Sequence, residues 1–367
     1  MNPTMIYILT TVISFVAIGF LLYEFKGKIL PFGMATIDPT AIGDIDYQSE
    51  AFKDTLTAEI TDALGFLSSG ILTEIPRDMI TSEGAAGDFG NVPQWKTFSG
   101  TMTPIASGTE VDINNLSTYK QRFPWLHREY AVGAEDIVKM ITGADTLGEV
   151  AKKLGPFLAR TIQAMSINAL KGAFATALAT SHSTGAAYTS GTINVTAANA
   201  ARLLLGDNLN LLNKMISHSK VTMDGVNLMI ASYGTQNRDE LKSGKLPQFL
   251  GMENWMDDTL TAVATIYSSF FSEAGSIGYS FAPWERTDVN GQKFSGMGVD
   301  IEPYRLPNLS GGVSSLIIRL HCMVHLNGMA YNSATKNPSN AQLATGSNWT
   351  KVVDDDKKIR IVELKTK

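Results

Sequence analysis

The sequence predicts an α+β protein, and three observations carry that reading. A stripe of apolar residues at helical spacing starts near Leu147 and continues to Leu178. Short β-rich stretches follow from Ser276 to Val324. Between Ser82 and Ser107, Gly84, Gly87, Gly90, Pro93, Gly100 and Pro104 break every period, so that segment reads as a long two-stranded excursion without a core of its own.

The elements follow in order. Phe52, Leu56, Ile60, Leu64 and Leu67 recur at helical spacing and predict an amphipathic helix from Asp44 to Ser69, ending near Gly70. Trp95 and Phe98 lie among the turn residues of the excursion, and Glu110 to Tyr130 reads as extended. An arm of this kind is unstable alone and needs another surface to lie on. The long helix opens on Thr146-Leu147-Gly148-Glu149, which has capping-box spacing with Thr146 as N-cap and Glu149 reaching back to free backbone N–H groups. Leu147, Val150, Leu154, Phe157, Leu158, Ile162, Met165, Leu170, Phe174 and Leu178 form its stripe, a rod of roughly 50 Å. Pro156, after Gly155, removes one backbone donor and predicts a bend about two turns in.

Ser181 to Thr192 reads as a loop. A second helix is predicted after Thr196 as N-cap, with Ala201, Leu204, Leu205, Leu212, Met215 and Ile216 on one face. Val221 to Ser232 is strand-like, and Gln236 to Ser243 suggests a short helix. Ser276–Trp284, Gly298–Pro303, Ser315–Val324 and Lys358–Leu364 read as strands.

Composition bounds the function. A chain of 367 residues, 44% hydrophobic and 18% charged, is globular and large enough for more than one lobe. The formal charge of -5 argues against a dedicated nucleic-acid binder. The single cysteine, Cys322, excludes an internal disulfide framework, and its apolar neighbours make it a buried thiol.

No constellation points to catalysis, a metal or a cofactor. His321 and His325 could share a metal on a helix, but on the strand that Leu316 to Leu320 predicts they lie about 13 Å apart. His218 reads as a hydrogen-bonded histidine at a helix end, because no nucleophile motif accompanies it. Asp354-Asp355-Asp356 lacks calcium-loop spacing and reads as a solvated turn. Gly311-Gly312 lacks the lysine of a phosphate loop. The aromatics Trp95, Phe98, Phe123, Trp125 and Tyr130 suit packing between subunits better than base stacking, since few basic residues interleave with them.

Met5 to Tyr23 is free of charge and just long enough to cross a bilayer. Three readings of it stay open: a membrane segment with Lys26 and Lys28 on the cytoplasmic side, an over-extended start ahead of Met34, or an apolar helix packed on neighbouring subunits.

In their order along the chain, several segments resemble tailed-phage major capsid (coat) proteins of the Hong Kong 97-like fold. They are the long helix Leu147 to Ala179 with Ala169-Leu170-Lys171-Gly172-Ala173-Phe174, Met215 to Val221, Phe249-Leu250-Gly251 and Asp257-Asp258-Thr259. Tyr267 to Phe270, Gly275 to Gly278, Leu326-Asn327-Gly328, the tail from Asn337 to Trp349 and Arg360-Ile361-Val362 complete the set. The resemblance implies an N-terminal arm over 34–78, an extended β-hairpin loop over 79–132, and a peripheral domain with the spine helix over 133–192. It further implies an axial domain over 193–300, then peripheral return strands and a C-terminal tail over 301–367. Residues 1–33 stand outside it.

The resemblance implies a non-enzymatic subunit of the virion capsid, assembled in the host cytoplasm as hexamers and pentamers around double-stranded DNA. Contact with that DNA would be non-specific, and scaffold, portal and decoration proteins are further partners. Trp95, Lys96, Phe98 and Trp125 are the candidate inter-subunit contacts; Thr146, Glu149, Leu154, Pro156, Leu158 and Phe174 mark the spine helix. Some relatives crosslink through a lysine, and Lys96 lies in the corresponding region, but the sequence identifies neither an asparagine partner nor an assisting glutamate. Two alternatives remain: an encapsulin-like compartment, and a membrane-anchored non-enzymatic protein displayed by Met5 to Tyr23.

Overall fold

The computed structural model describes residues 69–83, 88–96, 98, 102, 115–135, 146–233, 249–260, 265–287, 293–306 and 313–367. The apolar segment 1–33, the helix expected from Asp44 to Ser69 except its last residue, and the short helix expected at Gln236–Ser243 lie outside them. Among the described residues no helix is long and apolar enough to cross a membrane. Helices and mainly antiparallel strands are mixed along the chain, as the α+β expectation requires.

The chain divides into two compact units. Among described residues, the first holds 128–135, 146–159, 299–306 and 313–320, and the second holds the rest.

In the first unit, β12 (Val299–Leu306) pairs antiparallel with the first part of β13 (Val313–Leu326), in register from Val299 opposite Leu320 to Leu306 opposite Val313. Arg319 binds two acids of the facing strand, Asp300 at 3.0 Å and Glu302 at 2.7 Å, with Glu129 at 3.9 Å. Leu154 and Leu158, on the opening turns of α1 (Thr146–Ala175), are buried. Pro156 lies inside this helix without ending it.

The second unit has a core of buried apolar residues around a four-stranded sheet. Its strands are β6 (Lys214–Ser217), β7 (Glu253–Met256), β8 (Tyr267–Ser272) and β16 (Ile361–Thr366), in the order β16-β8-β6-β7. Met215, Phe271, Val362 and Leu364 pack from it against Ala197, Ala198 and Ala201 of α2 (Val195–Leu203). Three alanines on one face let that helix approach the sheet closely. Asn194 caps it, accepting a hydrogen bond from the Ala197 N–H at 2.8 Å. The later turns of α1 bury Ile162, Met165, Leu170 and Phe174, and the Phe174 ring packs 5.2 Å from that of Phe270. Gly172 on the same helix leaves room for the Trp349 indole, which donates to the Leu343 carbonyl at 2.7 Å. A carboxylate buried in this unit is fully engaged: Glu363 accepts from the Ser183 and Ser268 hydroxyls, each at 2.6 Å.

A second sheet of this unit pairs β1 (Leu72–Glu74) parallel to β9 (Ile277–Phe281), and β9 antiparallel to Cys322–Leu326 of β13. A third comprises β2 (Thr81–Glu83), β3 (Phe89–Trp95) and β4 (Thr118–Pro124), with β5 (Leu126–Glu135) continuing the chain.

Several expectations need correction. The second helix starts at Val195 behind Asn194, not after Thr196. It stops at Leu203; Gly206, at φ 55, opens a two-turn stretch of tighter helix to Leu211, and Met215 and Ile216 are strand. Val221 to Ser232 is helical, within α3 (Ser219–Tyr233). The strand expected over Ser276–Trp284 breaks at Ala282, after which β10 (Pro283–Thr287) pairs with β11 (Lys293–Met297). α1 ends at Ala175 rather than Ala179, and Thr146 is its first residue rather than the residue before it.

Candidate interaction surface

The hairpin of β3 and β4 concentrates what a partner could recognise. It runs in register from Phe89 opposite Pro124 to Trp95 opposite Thr118, and Lys96 extends it by donating its N–H to the Ser117 carbonyl at 2.9 Å. Its two ends differ in exposure. Toward the turn, Trp95 is 66% exposed, Phe98 80%, Leu116 52% and Met102 99%. Trp95, Phe98 and Leu116 line one cleft and, among the described residues, make an exposed apolar tip of the kind that can mark an interaction site.

At the base the side chains turn inward. Phe123 and Trp125 pack edge to face at 5.8 Å within a cluster that includes Ile80, Ala282 and Met323. Gly90, directly opposite Phe123 in the register, provides the space its ring fills. Trp125, expected as a contact for a neighbour, is only 6% exposed and lies under the Arg77 guanidinium at 5.3 Å. It belongs to the fold of the chain that carries it.

Between the two ends the hairpin is fastened to the C-terminal tail. The Tyr119 hydroxyl donates to Asp354 at 2.5 Å, which raises its pKa, and the Lys96 and Lys358 ammonium groups lie 4.9 and 5.2 Å from its ring. Gln121 is buried, bonded to Gln94, and accepts the Gly328 N–H at 3.0 Å. Gly328 has φ 83, so the tight turn after β13 presents that N–H to the hairpin. A cleft of about 620 Å³ opens beside the tip, lined by Trp95, Lys96, Phe98, Leu116, Lys358 and Arg360 among others. Arg360 is held by Glu273.

The expected site residues thus separate into three groups. Trp95, Lys96 and Phe98 share the tip and its cleft, and Trp125 is core. Leu154, Leu158 and Phe174 are buried along α1, and Pro156 is half-buried. Thr146 and Glu149 belong to its first turn. Sequence reasoning missed Tyr119, Gln121, Met102 and Leu116; the alternation of Tyr119, Gln121 and Phe123 along one strand was the available signal.

No feature of a reaction centre emerges among the described residues, where no group of three or more metal-ligating side chains converges. His218 sits at the start of α3, its Nδ1 accepting the Lys220 N–H at 3.1 Å, which is the helix-end role expected of it. Asp355 caps a short helical turn ahead of β16 by accepting the Lys357 N–H at 3.0 Å. Cys322 is fully buried.

No protein-family model matches the chain. Its sequence is 23% identical over 336 residues to the major capsid protein of Bacillus phage SPP1, an alignment covering 89% of this chain and 98% of that protein. Among solved structures, it is similar to the acid-stable capsid of Helicobacter pylori bacteriophage KHP30, with a TM-score of 0.49 and 11% identity over 81% of this chain and 87% of that one. It is also similar to the capsid of cyanophage P-SCSP1u, with a TM-score of 0.47 and 11% identity over 81% and 86%. These superpositions are loose; the alignment, nearly end to end on the SPP1 protein, is the stronger likeness.

Proposed function

We propose that this chain is the major capsid protein of a tailed phage, the subunit whose copies form the shell. The observation that carries this reading is the alignment that spans almost the whole of the SPP1 capsid protein. An apolar hairpin tip left exposed among the described residues supports it from the physical side. The work of the molecule is mechanical. Each subunit folds around its own sheet cores and offers the tip to a neighbour, so affinity accumulates over many modest contacts in a closed shell.

Hexamers and pentamers are the arrangement that such a subunit would adopt. Contact with double-stranded DNA would run through the phosphate backbone without sequence preference, and scaffold, portal and decoration proteins are the further partners. The role is structural rather than catalytic.

Negative-stain electron microscopy of the chain beginning at Met34, expressed alone and purified, tests the reading. Closed shells or capsomer-sized rings are the expected outcome. A compact monomer at high concentration would overturn it. Nucleic acid rather than protein inside particles recovered from infected cells separates a capsid from a cargo compartment.

A further inference from the structure

Three of the five histidines in the chain lie along one seam of the second unit, where the return side of the hairpin crosses β13. Alternate residues of β13, namely His321, Met323 and His325, face alternate residues of the other stretch, His127, Trp125 and Phe123. At one end the Nδ1 atoms of His127 and His321 stand 2.7 Å apart. A hydrogen bond of that kind needs one nitrogen to donate and the other to accept, so the pair tolerates one extra proton but not two. At the other end His325 is buried edge-on against the Phe123 ring at 5.7 Å, and its Nε2 has no hydrogen-bond partner among the described residues. An imidazolium there would be a charge enclosed by apolar groups. Between the two lies a buried apolar cluster of Met323, Phe123, Trp125, Ile80 and Ala282.

We propose that this seam is an acid-opened latch: protonation of its histidines frees the hairpin stretch from β13 while the rest of the unit stays folded. The inference concerns the subunit itself and stands whether or not copies assemble.

Among the described residues, no charged group faces His325 to stabilise its protonated form. Phe123 faces His325 from β4, and Gly278 with Ile75 lies beside it from β9 and the segment after β1, with no charged group among them. Around Trp125 stand the Arg77 guanidinium, which is itself cationic, and Asp88, already paired with Lys336 at 2.6 Å. Asn337, neutral, accepts the His127 backbone N–H at 2.9 Å. Two residues farther along the same strands, Glu129 and Arg319 approach to 3.9 Å, and Arg319 also holds Asp300 and Glu302.

The direction follows from linkage. Burial lowers His325 from 6.5 to about 4. Between those values the open seam takes up a proton that the closed one refuses, so closure weakens as pH falls through that window and is fully restored above it. A gap of that size multiplies the opening equilibrium on the order of a hundredfold between pH 7 and pH 4.

Peroxide oxidation of Met323, followed by peptide mass spectrometry on the full chain at pH 7 and pH 4, reads the opening locally. Met215 and Met252, buried in the other core of the same unit, serve as internal controls. Met323 oxidation should rise by roughly a hundredfold while both controls stay protected. In H325L the rise should shrink to a small residue, and in H127Q it should be smaller than in the parent. Should H325L fail to fold, H127Q and H321Q still read the solvent-facing end of the seam. Protection of Met323 at pH 4, simultaneous oxidation of the controls, or an undiminished rise in every folded variant would each overturn the proposal.

Discussion

Two regions of the second unit, built from the same kinds of side chain, end in opposite states. Around β6, β8 and β16 the apolar residues find partners within the chain: Met215, Phe271, Val362 and Leu364 meet the alanines of α2, although Leu203 at the end of that helix stays exposed. On the hairpin, by contrast, the large apolar side chains Trp95, Phe98, Met102 and Leu116 are exposed. Apolar surface is driven out of water wherever a cover exists. The sheet supplies its own cover, whereas Trp95, Phe98 and Leu116 are left exposed by the described residues of their own chain. Whether a large apolar side chain is buried or exposed is here decided by geometry rather than by residue type.

The sharpest way to break that contrast is to remove a side chain from the self-covered region. Phe271 is fully buried in the sheet core, and Phe271→Ala should lower unfolding stability by about 3–5 kcal/mol, because transfer and cavity terms add. Urea denaturation of the unassembled subunit measures it. A loss below about 1 kcal/mol would mean that the region is not the closed core described.

Next comes a position where closeness rather than bulk matters. A Cβ at Gly172 would run into the Leu343 carbonyl and the Trp349 indole nitrogen. Gly172→Ala should therefore cost about 1–3 kcal/mol despite the better helix propensity of alanine. The counterpart Gly225→Ala, where the added carbon meets only ordinary contacts with Phe249 and Ile193, should be neutral or stabilising by comparison. Thermal melts of the two variants side by side sharpen the distinction between close packing and conformational preference.

How much of this was legible beforehand depends on the period of each segment. The spine helix was readable because its stripe persists for many turns, and Leu154, Leu158 and Phe174 are buried as that stripe requires. α3 was misread as a strand because Val221, Val226 and Ile230 give it a β-branched composition. Its buried positions Val221, Thr222 and Gly225 nevertheless follow helical spacing, and its start is fixed by His218 and by Asp258, which accepts the Ser219 N–H at 3.1 Å. β6 was lost at the end of a helix that Gly206 stops, since four residues are too few to display alternation. For the surface, Trp95 and Phe98 were visible as aromatics among turn residues. Trp125 looked the same in sequence and proved to be core, because only the fold reveals that Arg77, Phe123 and Met323 converge on it.

The smallest expected effect on folding belongs to the tip, and it bears most directly on the comparison. Trp95 and Phe98 are largely exposed, so Trp95→Ser with Phe98→Ser should change unfolding stability by no more than about 0.5 kcal/mol, as for other surface positions. Exposed aromatics at the centre of an interface, by contrast, carry a large share of association energy, on the order of 2 kcal/mol or more each. The double variant should therefore remain a folded, soluble subunit that no longer sediments as shells. A matched pair of denaturation curves and a sedimentation profile checks both halves at once. Lost stability without lost assembly would reverse the assignment, making the tip part of the core and leaving the shell contacts to be sought elsewhere.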